Sequence, residues 1–135
     1  MEPNMEDRAP GSDGPGGPEG DFELPDHVAR AVALARERKA DSVTVLDLRG
    51  RSSATDYFVL GTGRSDIQVR SVAEHIIDEL KKGDLRPSHV EGLEQGRWVL
   101  IDYIDLVVHI LHPEIRDYYG LEGLWGDAPR RTFDG

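Results

Sequence analysis

The sequence predicts a mixed α/β domain of the α+β kind, one mixed five-stranded sheet flanked by helices. Three observations carry this. Two stretches, 24–39 and 65–83, repeat apolar residues at helical spacing. Five short stretches rich in β-branched residues read as strands. Their order is helix, two strands, helix, three strands, short helix, which suits a sheet with helices packed on it. At 135 residues, 38% hydrophobic and 31% charged, the chain has room for one such core.

Each element has its own local reason. In the first helix, Pro25 suits the first helical position and Asp26 the positive helix end. Leu24, Val28, Ala31, Val32 and Ala35 make the apolar stripe, and Arg36, Arg38 and Lys39 close the last turn. VTVLDL (43–48) and YFVLGT (57–62) then alternate as strands and form a hairpin across RGRSSATD. Ser65 with Gln68 three places on is a capping box; Val69, Val72, Ala73, Ile76 and Leu80 form the stripe behind it, and Gly83 supplies the stop. PSHVEG (87–92), RWVLIDY (97–103) and LVVHILH (106–112) follow as a meander, joined by an LEQG turn and a tight DYID corner. Pro113 opens a short helix through Tyr119. Five strands exceed what a hairpin can stabilise alone, so one sheet covered by the two long helices is expected.

The flanks differ from the body. Residues 1–23 mix Pro, Gly and acids with almost nothing to bury, so they are expected to be a disordered tail, with the folded domain at 24–129 and a flexible end at 130–135. The tail holds seven acids against Arg8, a net −6, which leaves −4 of the chain's −10 for the remainder. Such a charge disfavours general binding to phosphate backbones and suits a basic partner. No run of 18 apolar residues and no signal-like start is present, so no membrane association and a cytoplasmic location are expected. The absence of cysteine excludes disulfides, thiol catalysis and thiolate metal sites.

The most apolar stretch, EGLEQGRWVLIDYIDLVVHIL (91–111), also carries Asp102, Asp105 and His109. With Tyr103 and Ile104 as the corner, Asp102 faces Asp105, Leu100 faces Val107 and Trp98 faces His109. Both faces of this ribbon are then apolar. One meets the helices; the other, with Trp98, Leu100, Val107, His109 and Leu111, needs a cover that a partner could supply. Tyr and Ile are poor at positive φ, so a longer turn is an alternative. Trp98 and His109 read equally as interface residues facing a basic protein or as core. Asp102 and Asp105 could hold a divalent metal or share acid and base roles, yet no HExxH or nucleophile elbow completes a site, and corner carboxylates bonded to nearby backbone are the simpler reading. GTGRSD (61–66) resembles a phosphate cradle, but the signal is weak: Asp66 replaces the third glycine of a dinucleotide loop, and a tight strand-to-helix turn that explains the glycines without a ligand is the favoured reading.

With these residues in view, the chain resembles the ribosomal silencing factor family, also called the Iojap family, from about residue 25 to 129. The resemblance rests on SSATDYFVLGTGRSDIQV (52–69) and EGLEQGRWVLIDYIDLVVHILHPEIRDYYGLEGLWGDAP (91–129). It implies a five-stranded sheet related to nucleotidyltransferases without their chemistry, so no catalytic residue, cofactor or metal is expected. It implies binding to the large ribosomal subunit through ribosomal protein number fourteen, with subunit joining blocked and translation repressed when nutrients are short. Large-subunit assembly is the alternative it offers, homodimers are implied for some members, and a nucleotide-binding enzyme is a third reading of GTGRSD and Asp102. Matched to the motif, the contact surface falls on Glu91, Trp98, Asp102, Asp105 and His109, with Tyr119, Leu121 and Trp125 from the last segment. Gly123, where a larger residue is expected, departs from the pattern.

Overall fold

The computed structural model describes residues 22–120 and 126–133, with backbone alone at 118 and 119. Helix α1 spans Asp26–Glu37 and buries Val28, Ala31, Val32, Leu34 and Ala35 on one side. Pro25 stands one place earlier than expected, at the N-cap, with an extended ψ of 154°. Helix α2, Asp66–Lys82, buries the expected Val69, Val72, Ala73, Ile76 and Leu80. Its start keeps half of the expected capping box: Gln68 N donates to Ser65 Oγ at 3.1 Å, while Gln68 Oε1 accepts at 2.8 Å from Arg64 N, one residue before the cap, and not from Ser65 N. At its end Gly83 keeps a φ of −95°, and Asp84 takes the left-handed conformation instead. A short helix α3 covers Pro113–Tyr119.

The sheet contains six strands, not five: β1 Asp41–Asp47, β2 Tyr57–Thr62, β3 His89–Glu91, β4 Trp98–Asp102, β5 Leu106–Leu111 and β6 Arg130–Phe133. Their order is β3-β4-β5-β2-β1-β6; β2 and β5 run parallel and the other pairs antiparallel. The expected β1–β2 hairpin and β3–β4–β5 meander are both present. The additional strand is RRTF, which pairs from Leu46↔Arg130 to Val43↔Phe133 along the β1 edge. Four residues after a proline, two of them arginines, give no alternating apolar signal, because an edge strand needs backbone pairing more than burial.

Helices α1 and α2 cover one face of the sheet. There Val45, Val59, Val99, Ile101, Val108 and Ile110 lock against the two apolar stripes in the main core. Each of these fully buried side chains contributes on the order of 1.5–3 kcal/mol. A smaller second core lies on the opposite face, made of Leu46, Leu48, Leu60, Leu111 and Ala128, with Ile115 of α3 and the Phe58 and Trp98 side chains packed at its margin. Among the described residues, no helix is long and apolar enough to cross a membrane.

Candidate functional site

Strand pairing determines which side chains share the second face. Residues opposite one another across a ladder point the same way. One row therefore runs Glu91, Leu100, His109, Leu60, Thr44, Thr132, and the next runs His89, Asp102, Val107, Phe58, Leu46, Arg130. Trp98 stands opposite Leu111 in a third row. The middle of the face is sealed by the second core. Among the described residues, the part over β3, β4 and β5 is not: Trp98, Leu100, Asp102 and Val107 are half-buried, and Glu91 is exposed.

The facing pairs expected from a two-residue corner are not those observed. Asp102 faces Val107, Leu100 faces His109 and Trp98 faces Leu111. The turn is longer, closed by Tyr103 N donating to Leu106 O at 2.8 Å, with Ile104 at a φ of 78°. Every partner moves by two residues, which leaves each side chain on its expected face because strand side chains alternate with period two. Asp102 and Asp105 are thereby separated. Asp102 Oδ1 accepts the Ile104 N–H at 2.8 Å, an Asx turn that explains this carboxylate locally. Asp105 instead meets His27 Nε2 of α1 at 2.9 Å, where it ties the turn to the helix layer.

His109 lies under the open face at 4% exposure. Its Nδ1 accepts the Trp98 indole N–H at 3.1 Å, and Phe58 meets the ring edge-on with centroids 4.7 Å apart. Burial pushes the imidazole down to about 4, so it is neutral near pH 7. With Nδ1 accepting, the proton of the neutral ring sits on Nε2, and Nε2 has no hydrogen-bond partner. His109 and Trp98 are thus one joined unit, the imidazole in the core and the indole at its margin. Two hollows adjoin this unit and share Leu100. One, of about 310 Å³, lies between Glu91, Gly92, Trp98 and Leu100. The other, of about 250 Å³, lies between Ser52, Ala54, Thr55, Phe58, Leu100, Asp102, Val107 and His109. Gly92 is required beside the first, since at a φ of 80° a Cβ would stand 2.1 Å from the Trp98 carbonyl oxygen. A larger hollow, about 790 Å³, runs along the outer side of α2 among side chains of both signs such as Arg70, Glu74, Asp78 and Lys81. It is lined mainly by charged side chains, with Ile67 among them, and by none of the sheet residues above.

The site therefore gathers Glu91, Trp98, Asp102 and His109 and leaves Asp105 on the helix side. Leu121 and Trp125, and the Tyr119 side chain, lie outside the described residues. Thr55 and Phe58 were not among the sequence candidates. The parallel pairing of β2 with β5 brings Phe58 beside Val107, and no local pattern announces that pairing. The GTGRSD turn has a ligand-free explanation. A Cβ on Gly63 would stand 2.8 Å from Val69 Cγ2, so the turn needs glycine for close packing. Ser65 and Gln68 side chains engage the helix-start amides, and Asp66, paired with His112 at 2.8 Å, places a carboxylate where a phosphate would have to sit.

Comparison with known proteins agrees with this frame. The family model described as ribosomal silencing factor during starvation matches residues 21–135. The ribosomal silencing factor RsfS of Bacillus subtilis (strain 168) is 40% identical over 104 residues, covering 77% of this chain and 88% of that protein. A crystal structure of a protein from Chromobacterium violaceum superposes with a TM-score of 0.74 at 33% identity, over 78% of this chain and 88% of the other. The mouse protein named mitochondrial assembly of ribosomal large subunit protein 1 is 30% identical over 106 residues, covering 76% of this chain and 45% of that one. The chain belongs to the ribosomal silencing factor family.

Proposed function

We propose that this protein binds the large ribosomal subunit through ribosomal protein number fourteen and, by occupying that surface, blocks joining of the small subunit and represses translation. The observation that carries the reading is the open part of the second face, where Trp98 and Leu100 stand half-buried between the carboxylates of Glu91 and Asp102. An aromatic and apolar patch with an acidic border suits a basic ribosomal protein: the apolar centre supplies affinity and the carboxylates supply steering and register. Blocking a docking surface needs bulk and affinity and no chemistry. His109 acts beneath this surface by holding Trp98. By the family motif alone, Tyr119, Leu121 and Trp125 of the last segment are proposed as further contact residues. Pelleting with purified large subunits tests the reading: Trp98→Ala should weaken retention at least tenfold, and undiminished retention would remove the proposed surface.

The name of the mouse relative favours a second reading, a role in large-subunit assembly. The same contact made earlier in the life of the particle would serve it. Ribosomal particle profiles of a deletion strain separate the two: precursor particles accumulate if assembly is the role, whereas mature subunits stay joined during starvation if silencing is.

A further inference from the structure

Two of the residues that line the hollow of about 250 Å³ beside β5 each carry a buried polar atom without a hydrogen-bond partner, Nε2 of His109 and Oγ1 of Thr55. Native proteins rarely leave buried polar groups unpaired, and two on residues that line one hollow are a signature of a site completed by something else. The chemistry of the missing group follows from the wall. The indole N–H on Nδ1 makes Nε2–H a donor, so the head of a lysine or arginine, which carries donors only, does not satisfy it. A carboxylate is disfavoured by Asp102, which lines the same hollow. A neutral acceptor remains, and a protein partner offers one at every residue, its main-chain carbonyl. Phe58, Leu100 and Val107 provide the apolar walls around it.

We propose that His109 and Thr55 are specificity residues of the docking face, bonding a main-chain carbonyl that a basic partner segment inserts between Phe58, Leu100 and Val107. This rests on the large-subunit reading above. Asp102, whose Oδ1 is held by the Ile104 amide, lines the same hollow and would take a neighbouring lysine or arginine of that segment. In the free protein both Nε2 and Oγ1 are buried. Docking therefore includes a side-chain rearrangement in the wall, where Phe58 meets the imidazole edge-on. A segment that presents a carbonyl at this point gains bonds that the free protein lacks, and is favoured over one whose carbonyls fall elsewhere.

Two substitutions in the full chain separate the two ring nitrogens. His109→Asn keeps an acceptor near the Nδ1 place for Trp98 and deletes the Nε2 donor. His109→Gln places an N–H near Nε2 and gives up the acceptor. In pelleting titrations with large subunits, Asn should bind about tenfold more weakly than the native chain, Gln within about threefold of it, and Thr55→Val several-fold more weakly. Equal binding by native and Asn chains, or losses that merely follow each variant's fall in melting temperature, would overturn the proposal. A measurement on the native chain alone avoids variant folding. With histidine side chains labelled with nitrogen-15, the Nε2 proton of His109 should shift and exchange more slowly on addition of isolated ribosomal protein number fourteen; an unmoved signal at saturation would overturn the proposal. If the unaltered chain pellets with no large subunits, the large-subunit reading itself fails, an outcome distinct from equal pelleting by the Asn variant.

Discussion

Ile104 sits at the tip of the β4–β5 turn with a φ of 78° and 64% of its surface exposed. A β-branched side chain in the left-handed region is strained by about 1–3 kcal/mol, and an exposed one recovers little of that by burial. Ile104→Gly should therefore raise stability by about 1 kcal/mol after allowing for the extra freedom of the unfolded chain, read as a higher urea midpoint at unchanged slope. A lower midpoint would mean that the isoleucine earns its place by contacts. His109 makes the second residue-scale statement. Its imidazole is held near 4 in the fold, whereas a free one titrates near 6.5. Below pH 6.5 the unfolded chain binds a proton that the folded chain refuses, so this residue's contribution to stability falls as pH drops toward 4, by about 3 kcal/mol in all. Urea unfolding at pH 7 and pH 4.5 should show the native chain losing more than His109→Asn does; equal losses would contradict the buried neutral ring. At this scale the sequence was partly legible. Which face Trp98, Asp102 and His109 occupy follows from alternation alone, but the partner of Asp105, His27 on α1, depends on a packing that no local pattern encodes.

Among the elements, α2 was readable from end to end, because Ser65, Gln68 and the apolar stripe are local rules acting within one turn or two. The turn between β4 and β5 was readable only in kind: the two-residue corner expected there is replaced by the longer turn that was its alternative, with the Asx turn of Asp102 and the positive φ at Ile104 in it. Strand β6 was not readable. Its four residues gain order from the exposed edge of β1, with Asp47 N also donating to Pro129 O at 2.9 Å. A chain ending after Pro129 should lose those pairings and about 1–3 kcal/mol with them, observed as a lower melting temperature and faster amide exchange along Val43–Leu46. Unchanged exchange there would mean that β6 adds nothing to the sheet. The parallel β2–β5 pairing is the other element-scale feature that sequence withheld, and it is what brings Phe58 and Thr55 to the site.

At the scale of the fold, two long helices close one side of the sheet, while among the described residues the short α3 and the segment at Ala128 close only part of the other. That asymmetry is the physical basis of the proposed function. The −10 net charge gives it direction, since an acidic chain approaches a basic surface faster than a neutral one and loses that advantage as salt rises. Fold class, helix stripes and the apolar ribbon were legible because each is a pattern within the chain; how much of the second face remains open was not, because cover depends on where distant segments come to rest. The most direct test of the account is a density map of this chain bound to the large ribosomal subunit. The account expects the β4–β5 face, with Trp98 and Asp102, pressed on ribosomal protein number fourteen; a map with the α1–α2 layer in that contact and the β4–β5 face turned to solvent would contradict it.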